Sequence, residues 1–247
     1  MKIYASISFD DGKKTHLTEY YPILKKFCFR GSFYPIVDQI GLSGRMNWKD
    51  LEFLYKEGNE IGSHTFSHRS LLDLNDSEIE VELKKSKEAL KKFKTESLSY
   101  PFGNHNERVD QIASKYYLCA RACGDIQGNE ADYGINKRMF NKYSLKTLSL
   151  NDNIVSIYKK ESFAWLIYVI HESPTVSLDY CLHSLKTRKV KVNDLFNFFK
   201  NLTVQSFNTK KSESDCLFKL CQALGQNKVK VMTISQTIKE LEQYGKK

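Results

Sequence analysis

Segments of strand type and helix type alternate along the chain, and this alternation restricts the fold more than any other feature of the sequence. Predicted strands lie near 3–9, 31–36, 60–61, 98–100, 116–121 and 164–170. Predicted helices lie between them, near 16–27, 47–57, 75–94 and 106–115. Strands that alternate with helices usually form a parallel sheet covered by helices, so the sequence predicts an α/β fold.

The rest of the chain continues this pattern less regularly. A short strand is predicted at 138–141 and a helix at 151–159, and a strand at 229–232 is followed by a helix at 234–244. Between them, 172–228 reads as a less regular surface excursion, with a helix near 194–202 and a polar loop at 208–214. At 247 residues and 41% hydrophobic, the chain can bury one sizeable core, so 1–247 is predicted to be a single catalytic domain.

The N-terminus and the cysteines bear on the compartment. The chain enters its first strand without a basic region and an apolar leader, and it has no apolar run of about 20 residues. As written it is therefore expected to be cytoplasmic, with extracellular or cell-surface action left open.

The six cysteines of the chain are scattered and read as reduced, buried small side chains. Cys119 and Cys123 have no second pair with which to complete a metal site.

The net charge of +9 raises the question of nucleic-acid binding. Lysines near residue 84 alternate with glutamates, and Glu80 and Lys84 are four residues apart, as on a solvated helix face. No nucleic-acid-binding motif accompanies the charge. We therefore expect no specific nucleic-acid partner, while an anionic glycan or lipid surface remains open.

Two adjacent carboxylates, Asp10 and Asp11, end the first strand and are followed by Gly12. Adjacent carboxylates repel each other, so a fold that keeps both at a strand end usually places a cation beside them. His64 and His68 are four residues apart, a spacing that would align both rings on a helical turn. One carboxylate and two imidazoles leave a coordination position open, which is the mark of a catalytic rather than a structural metal site.

These motifs resemble the polysaccharide deacetylase family, also called the NodB-homology or carbohydrate esterase 4 group. Its first motif, T-F-D-D-G, stands here as residues 8–12, and its second, H-[ST]-x-x-H, as residues 64–68. Residues 99–103, Ser-Tyr-Pro-Phe-Gly, resemble its third motif, R-P-P-Y-G, and 165–171 resemble the strand that delivers its last histidine. Residues 229–235 resemble its closing strand. The resemblance implies a distorted (β/α) barrel of about seven strands.

The resemblance also implies a site. Asp11, His64 and His68 would bind a divalent metal, with zinc as the first candidate and cobalt or nickel as alternatives. Asp10 would be the catalytic base, and His171 would be the general acid. His183 is the rival for the acid role, followed by His105 and His16. The remaining site residues form an oxyanion and substrate-binding group: Tyr100, Pro101, Phe102 through its backbone N–H, and Arg121.

The chain departs from the family pattern at three places. Ser99 stands where the third motif has an arginine that orients the base, and Arg121 is the first candidate replacement, with Arg138 second. Lys13 replaces a proline after Gly12, and the Asp-rich fourth motif has no convincing counterpart. These departures affect the expected substrate preference more than metal binding.

The function predicted from the sequence is metal-dependent removal of N-acetyl groups from N-acetylglucosamine-type units of a glycan or glycoconjugate. O-deacetylation of an acetylated polysaccharide and hydrolysis of a small amide by the same residues remain alternatives, because metal chemistry does not distinguish amide from ester. A glycan-binding protein that has lost turnover is the alternative from another class. The sequence does not determine the oligomeric state.

Overall fold

The computed structural model describes residues 2–123, 134–150, 163–170 and 213–245. Its strands are β1 (Lys2–Asp10), β2 (Ser32–Tyr34), β3 (Glu60–Ile61), β4 (Ser97–Ser99), β5 (Cys119–Arg121), β6 (Phe163–Ile170) and β7 (Lys230–Val231). Its α-helices are α1 (Tyr21–Lys26), α2 (Trp48–Lys56), α3 (Asp76–Ala89), α4 (Glu107–Ala113), α5 (213–226) and α6 (Ile234–Gly245).

β1 is the central strand of the fold. It pairs in parallel with β6 along nearly its whole length, from Lys2 opposite Phe163 to Phe9 opposite Ile170. On its other side, its first half pairs with β7 and its carboxyl end pairs with β2. Every residue from 4 to 10 is buried, as expected of a parallel strand covered on both faces.

The parallel pairs form a closed ring. β2 pairs with β3, and a bridge between Ser63 and Leu98 continues the sheet to β4, which pairs with β5. A bridge from Arg121 to Leu145 and another from Leu148 to Tyr168 then lead back to β6. The predicted α/β fold of distorted (β/α) barrel type is confirmed, with residues 145–148 taking the place of a regular strand.

Two of the predicted helix starts are capped as their sequences indicate. The Asn75 side chain accepts a hydrogen bond from the Glu78 N–H, and the Glu78 carboxylate accepts one from the Asn75 N–H. Asn47 and Asp50 form the same reciprocal pair at the start of α2. Such caps satisfy N–H groups that have no partner within the helix. No helix in the described ranges is both long and apolar enough to cross a membrane.

Several predicted elements differ from the structure. The segment at 138–141 is not a strand, because the chain joins the sheet through isolated bridges at Asn136, Leu145 and Leu148 instead. The helix predicted at 16–27 divides into a π-helical segment, His16–Tyr20, and α1, where Pro22 lies in the first turn and has no N–H to continue the earlier bonding.

The predicted surface excursion at 172–228 includes regular structure, since 213–226 is helical. Residues 213 and 214 of the loop predicted at 208–214 are therefore helical, and the rest of that loop lies outside the described residues. The helices predicted at 151–159 and 194–202 lie outside the described residues. The described cysteines are free thiols, as predicted, although Cys28 is exposed and Cys216 is half-buried rather than buried.

Candidate metal and catalytic site

Asp11, His64 and His68 meet at the carboxyl end of the central strands. The Asp11 Oδ1 atom lies 3.7 Å from His64 Nε2 and 3.8 Å from His68 Nε2. The two Nε2 atoms are 3.1 Å apart. In the part of the chain that the structure describes, this is the one group of three or more histidine, cysteine and acidic side chains that could hold a metal ion.

The donor atoms of this group fit a divalent cation. Ligands about 2.0–2.2 Å from a tetrahedral zinc ion are separated from one another by about 3.3 Å, close to the distances among these three atoms. His64 Nδ1 lies 2.8 Å from the Ser99 carbonyl oxygen, which requires a proton on Nδ1 and leaves the Nε2 lone pair for the cation. Three protein ligands leave a coordination position for water or substrate.

Asp11 reaches the site through an unusual turn. Its φ of 70° and the Gly12 φ of 64° place both residues in the left-handed region, where a non-glycine residue is uncommon. A Cβ on Gly12 would lie 2.9 Å from the Pro35 Cα, so the position requires glycine. The Asp11 carbonyl accepts a hydrogen bond of 2.7 Å from Arg45, which fixes the turn from the other side.

The histidine segment is also a turn, and not the helical turn predicted from the spacing. Thr65 and His68 have φ values of 63° and 60°, which interrupt any helix. Glu82 of α3 accepts hydrogen bonds from the N–H groups of Phe66 and Ser67 and from the Ser67 hydroxyl, at 3.1, 2.9 and 2.6 Å. The two rings therefore meet because a carboxylate on a neighbouring helix holds the turn.

The electrostatics of the three side chains favour the forms that bind a metal. Burial, followed by the proximity of His64, lowers the pKa of His68 to about 3, so its ring is neutral near pH 7. Burial alone would raise the pKa of Asp11, but His64, Lys13 and His68 together bring it below the ordinary value. The site thus presents a carboxylate beside a neutral imidazole, the protonation states that metal binding requires.

Replacing Glu82 by glutamine should weaken metal binding without removing a ligand. The amide supplies one acceptor oxygen where the carboxylate serves three donors, so the turn that aligns His64 and His68 loosens. Loss of a contact that orients ligands typically costs about 10- to 100-fold in metal affinity. Isothermal titration of the apoprotein with zinc measures this change.

Glu80→Gln is the matched control for this variant. Glu80 lies on the same helix, pairs with Lys115 at the surface at 2.8 Å, and has no contact with the histidine turn in the described hydrogen bonds. Its zinc affinity should equal that of the unmodified protein. Equal affinities for all three proteins would show that Glu82 does not order the ligands.

Asp10 has contacts of its own, separate from those among Asp11, His64 and His68. Its carboxylate is only 1% exposed. One oxygen accepts a hydrogen bond from the fully buried Arg121 guanidinium, and the other accepts one of 3.2 Å from the Ser99 hydroxyl. Ser99 and Arg121 are paired in register on β4 and β5. The two adjacent acidic residues thus have different environments, one facing the histidines and the other an arginine.

The 99–103 segment contributes Phe102 to the mouth of the site. Phe102 has φ 59° and ψ 9° within a short 3₁₀ turn, and its ring centroid lies 4.6 Å from that of His68. Tyr100 and Pro101 are buried, and the Tyr100 hydroxyl donates a 2.7 Å hydrogen bond to Asp110. The Tyr100 side chain therefore contacts α4 rather than His64 or His68.

The other candidate residues lie elsewhere. His171 and His183, the two candidates for the general acid, fall outside the described residues. His105 pairs with Asp110 at 2.9 Å, and His16 is buried beside Phe9. Arg138 is exposed. The buried thiols of Cys119 and Cys123 belong to no metal-binding group in the described ranges.

The chain is similar in sequence to polysaccharide deacetylases. Residues 2–119 match the model of the polysaccharide deacetylase family. YxkH of Bacillus subtilis (strain 168), named as a polysaccharide deacetylase, is 30% identical over 112 residues, which are 44% of this chain and 40% of that protein. A chitin deacetylase of Arthroderma benhamiae is 35% identical over 81 residues, 32% of this chain and 21% of that protein. The matches thus span less than half of these curated relatives.

A solved structure extends the similarity of fold to nearly the whole chain. The Xyl-CE4 domain of a multidomain xylanase from the hindgut metagenome of Trinervitermes trinervoides superposes with a TM-score of 0.54. The alignment covers 97% of this chain and 91% of that one, at 13% identity. At this identity the similarity supports the barrel fold alone.

Proposed function

Because residues 2–119 of the chain belong to the polysaccharide deacetylase family, we propose that it is a divalent-metal-dependent hydrolase that removes N-acetyl groups from N-acetylglucosamine-type units of a glycan or glycoconjugate. The observation that carries this proposal is the division of labour between adjacent carboxylates. Asp11 faces His64 and His68, while Asp10 is held apart by Arg121. A site for binding alone has no need of the second carboxylate.

In the proposed reaction, Asp11, His64 and His68 hold the cation. Zinc suits two nitrogens and one carboxylate oxygen, and cobalt and nickel accept the same donors. When bound, such a cation polarises the acetyl carbonyl and lowers the pKa of water from about 15.7 to near 7.

Asp10 takes the proton of the attacking water as the general base. Arg121 and Ser99 hold its carboxylate in place through hydrogen bonds to its two oxygens. The proposed oxyanion donor is the backbone N–H of Phe102, a residue whose ring packs against that of His68. Removal of such a donor typically costs about 10²–10³ in turnover.

Expulsion of an amine requires a proton on the leaving nitrogen. We assign this general acid role to His171, which follows the buried strand β6. Since β6 pairs with β1 up to Ile170 opposite Phe9, the chain leaves β6 at the same end of the barrel at which Asp10 and Asp11 leave β1. That position supports the assignment over His183, which is farther along the chain.

The alternatives use the same residues. O-deacetylation of a polysaccharide would need the base and the oxyanion donor but less help from the acid, because an alcohol leaves more readily than an amine. A glycan-binding protein without turnover is disfavoured by the buried Asp10–Arg121 pair. Burial of an ion pair has a desolvation cost that a binding-only site has no reason to keep.

A substrate panel tests the proposal. Purified protein loaded with zinc, cobalt or nickel should release acetate from N-acetylglucosamine oligosaccharides at rates well above those for acetylated xylan or for small amides. Chelation should abolish the release, and stoichiometric metal should restore it. Preferential release from xylan would favour O-deacetylation. Binding of glycans with no release under any metal would indicate a protein that has lost turnover.

A further inference from the structure

A row of buried polar side chains extends from Asp10 into the barrel. Next to Asp10 lies the guanidinium of Arg121, which is fully buried and donates to the carboxylate. Its Nη1 donates to the Ala122 carbonyl at 3.3 Å, while its Nε has no hydrogen-bond partner among the described residues. The carbon at the centre of the guanidinium lies 4.7 Å from the centroid of the Tyr34 ring.

Tyr34 is anchored at its hydroxyl. The hydroxyl oxygen lies 2.9 Å from Ser97 Oγ, and Ser97 donates to the Glu60 carboxylate at 2.7 Å. The other Glu60 oxygen accepts from the Ser32 hydroxyl at 2.7 Å and from the Ser235 N–H, at the start of α6, at 3.2 Å. Residues from β2, β3, β4 and α6 thus form one hydrogen-bonded network that holds the hydroxyl end of the Tyr34 ring.

The ring is also confined along its edge. A Cβ on Gly62 would lie 2.2 Å from the Tyr34 Cε1 atom, so only glycine fits there. Gly62 immediately precedes the turn that carries His64. Tyr34 therefore touches the backbone that leads to the metal ligands on one side and the arginine that holds Asp10 on another.

We propose that Tyr34 is a positioning residue for the reaction, acting through Arg121 on Asp10. The face of an aromatic ring attracts a guanidinium, most strongly where water is excluded. That attraction supports Arg121, whose Nε has no hydrogen bond to a described residue, and it directs the Nη2 group to Asp10. Ser99 stands where the third motif has an arginine, and it has no guanidinium. The arginine beside Asp10 therefore comes from β5, and the aromatic ring that supports this arginine comes from β2. The inference rests on the proposed function, in which Asp10 is the base.

Two substitutions separate the ring from its hydroxyl. Tyr34→Leu removes the ring face, and we expect kcat to fall about 10- to 100-fold because the base is no longer held in line. KM and zinc stoichiometry should be unchanged, since Tyr34 is fully buried and is not a member of the Asp11, His64 and His68 group. Tyr34→Phe keeps the ring face and should retain kcat within about twofold. A loss as large in Tyr34→Phe as in Tyr34→Leu would overturn the proposed role of the ring.

A double-mutant cycle tests whether the effect passes through Arg121. In an Arg121→Met background, Tyr34→Leu should lower kcat no further, because the group on which the ring acts is gone. Equal losses in both backgrounds would reduce Tyr34 to a structural residue and overturn the inference. Tyr117 lies in the same buried apolar cluster as Leu83 of α3 and Val109 of α4. Tyr117→Leu therefore controls for loss of core packing and should leave kcat unchanged.

The failure of this inference is distinguishable from that of the proposed function. A wild-type protein that releases acetate while Tyr34→Leu keeps full kcat contradicts the inference alone. A wild-type protein without deacetylase activity contradicts the proposed function. In that case the cycle measured by urea unfolding still tests the Tyr34–Arg121 contact, and additive losses of stability would show that the two side chains do not interact.

Discussion

Asp10→Asn is expected to abolish acetate release while leaving the metal in place. The amide keeps an oxygen that can accept from Arg121, so the local packing is retained, but it cannot take a proton from water. Loss of a general base typically costs about 10²–10⁴ in rate. Asp10 is not a member of the Asp11, His64 and His68 group. The zinc content of the variant should therefore stay at one ion per chain. Steady-state kinetics and metal analysis on the same preparation measure both quantities.

Asp11→Asn is the natural partner for this variant, since it makes the same chemical change one residue later. It should lose zinc as well as activity, because the carboxylate that faces both imidazoles becomes a neutral amide. If Asp10→Asn kept full activity, or if the two variants lost zinc equally, the proposed division of labour between the adjacent carboxylates would be wrong.

Arg121→Met should have the largest effect on stability. The substitution removes the guanidinium that donates to the buried Asp10 carboxylate. Removing one partner of a buried ion pair typically costs about 3–5 kcal/mol, because the other charge is left uncompensated. Urea unfolding of the metal-free protein measures the loss, and kcat should fall with it because the base is no longer aligned.

Arg108→Met provides the comparison at the surface. Arg108 pairs with Asp76 at 2.8 Å, and both side chains are at least 40% exposed. Exposed pairs contribute about 0–1 kcal/mol, so the same change of residue should have a small effect there. Similar losses of stability for the two variants would mean that the Arg121–Asp10 pair has no special role.

The positions of the main strands along the chain and the start of two helices follow from local patterns in the sequence. β1 and β6 are apolar runs with clear ends, and Asn75 with Glu78 specifies a helix start within four residues. The alternation of strands and helices predicted an α/β fold, whereas the barrel was predicted from the resemblance to the polysaccharide deacetylase family. What local patterns did not indicate was the end of the 75–94 segment, where α3 stops at Ala89 and a 3₁₀ turn follows.

The site was predicted by residue type but not by the way in which it is held. The spacing predicted a helical turn for His64 and His68. In the structure the segment is a turn with Thr65 and His68 in the left-handed region, and Glu82 of α3 holds it through hydrogen bonds. Glu82 could have been noticed, because it shares the buried face of α3 with Ile79 and Leu83, where a charged residue needs a partner. The register of β4 and β5 places Arg121 opposite Ser99, so that both can donate to Asp10. No local pattern in the sequence encodes this register.

Anomalous diffraction at the zinc absorption edge, from crystals of the zinc-loaded protein, tests the central claim most directly. We expect one strong peak about 2.0–2.2 Å from an Asp11 carboxylate oxygen and from the Nε2 atoms of His64 and His68, with the Asp10 carboxylate still bonded to Arg121. A peak that lacks any of these three ligands, or zinc bound only elsewhere on the chain, would contradict the account.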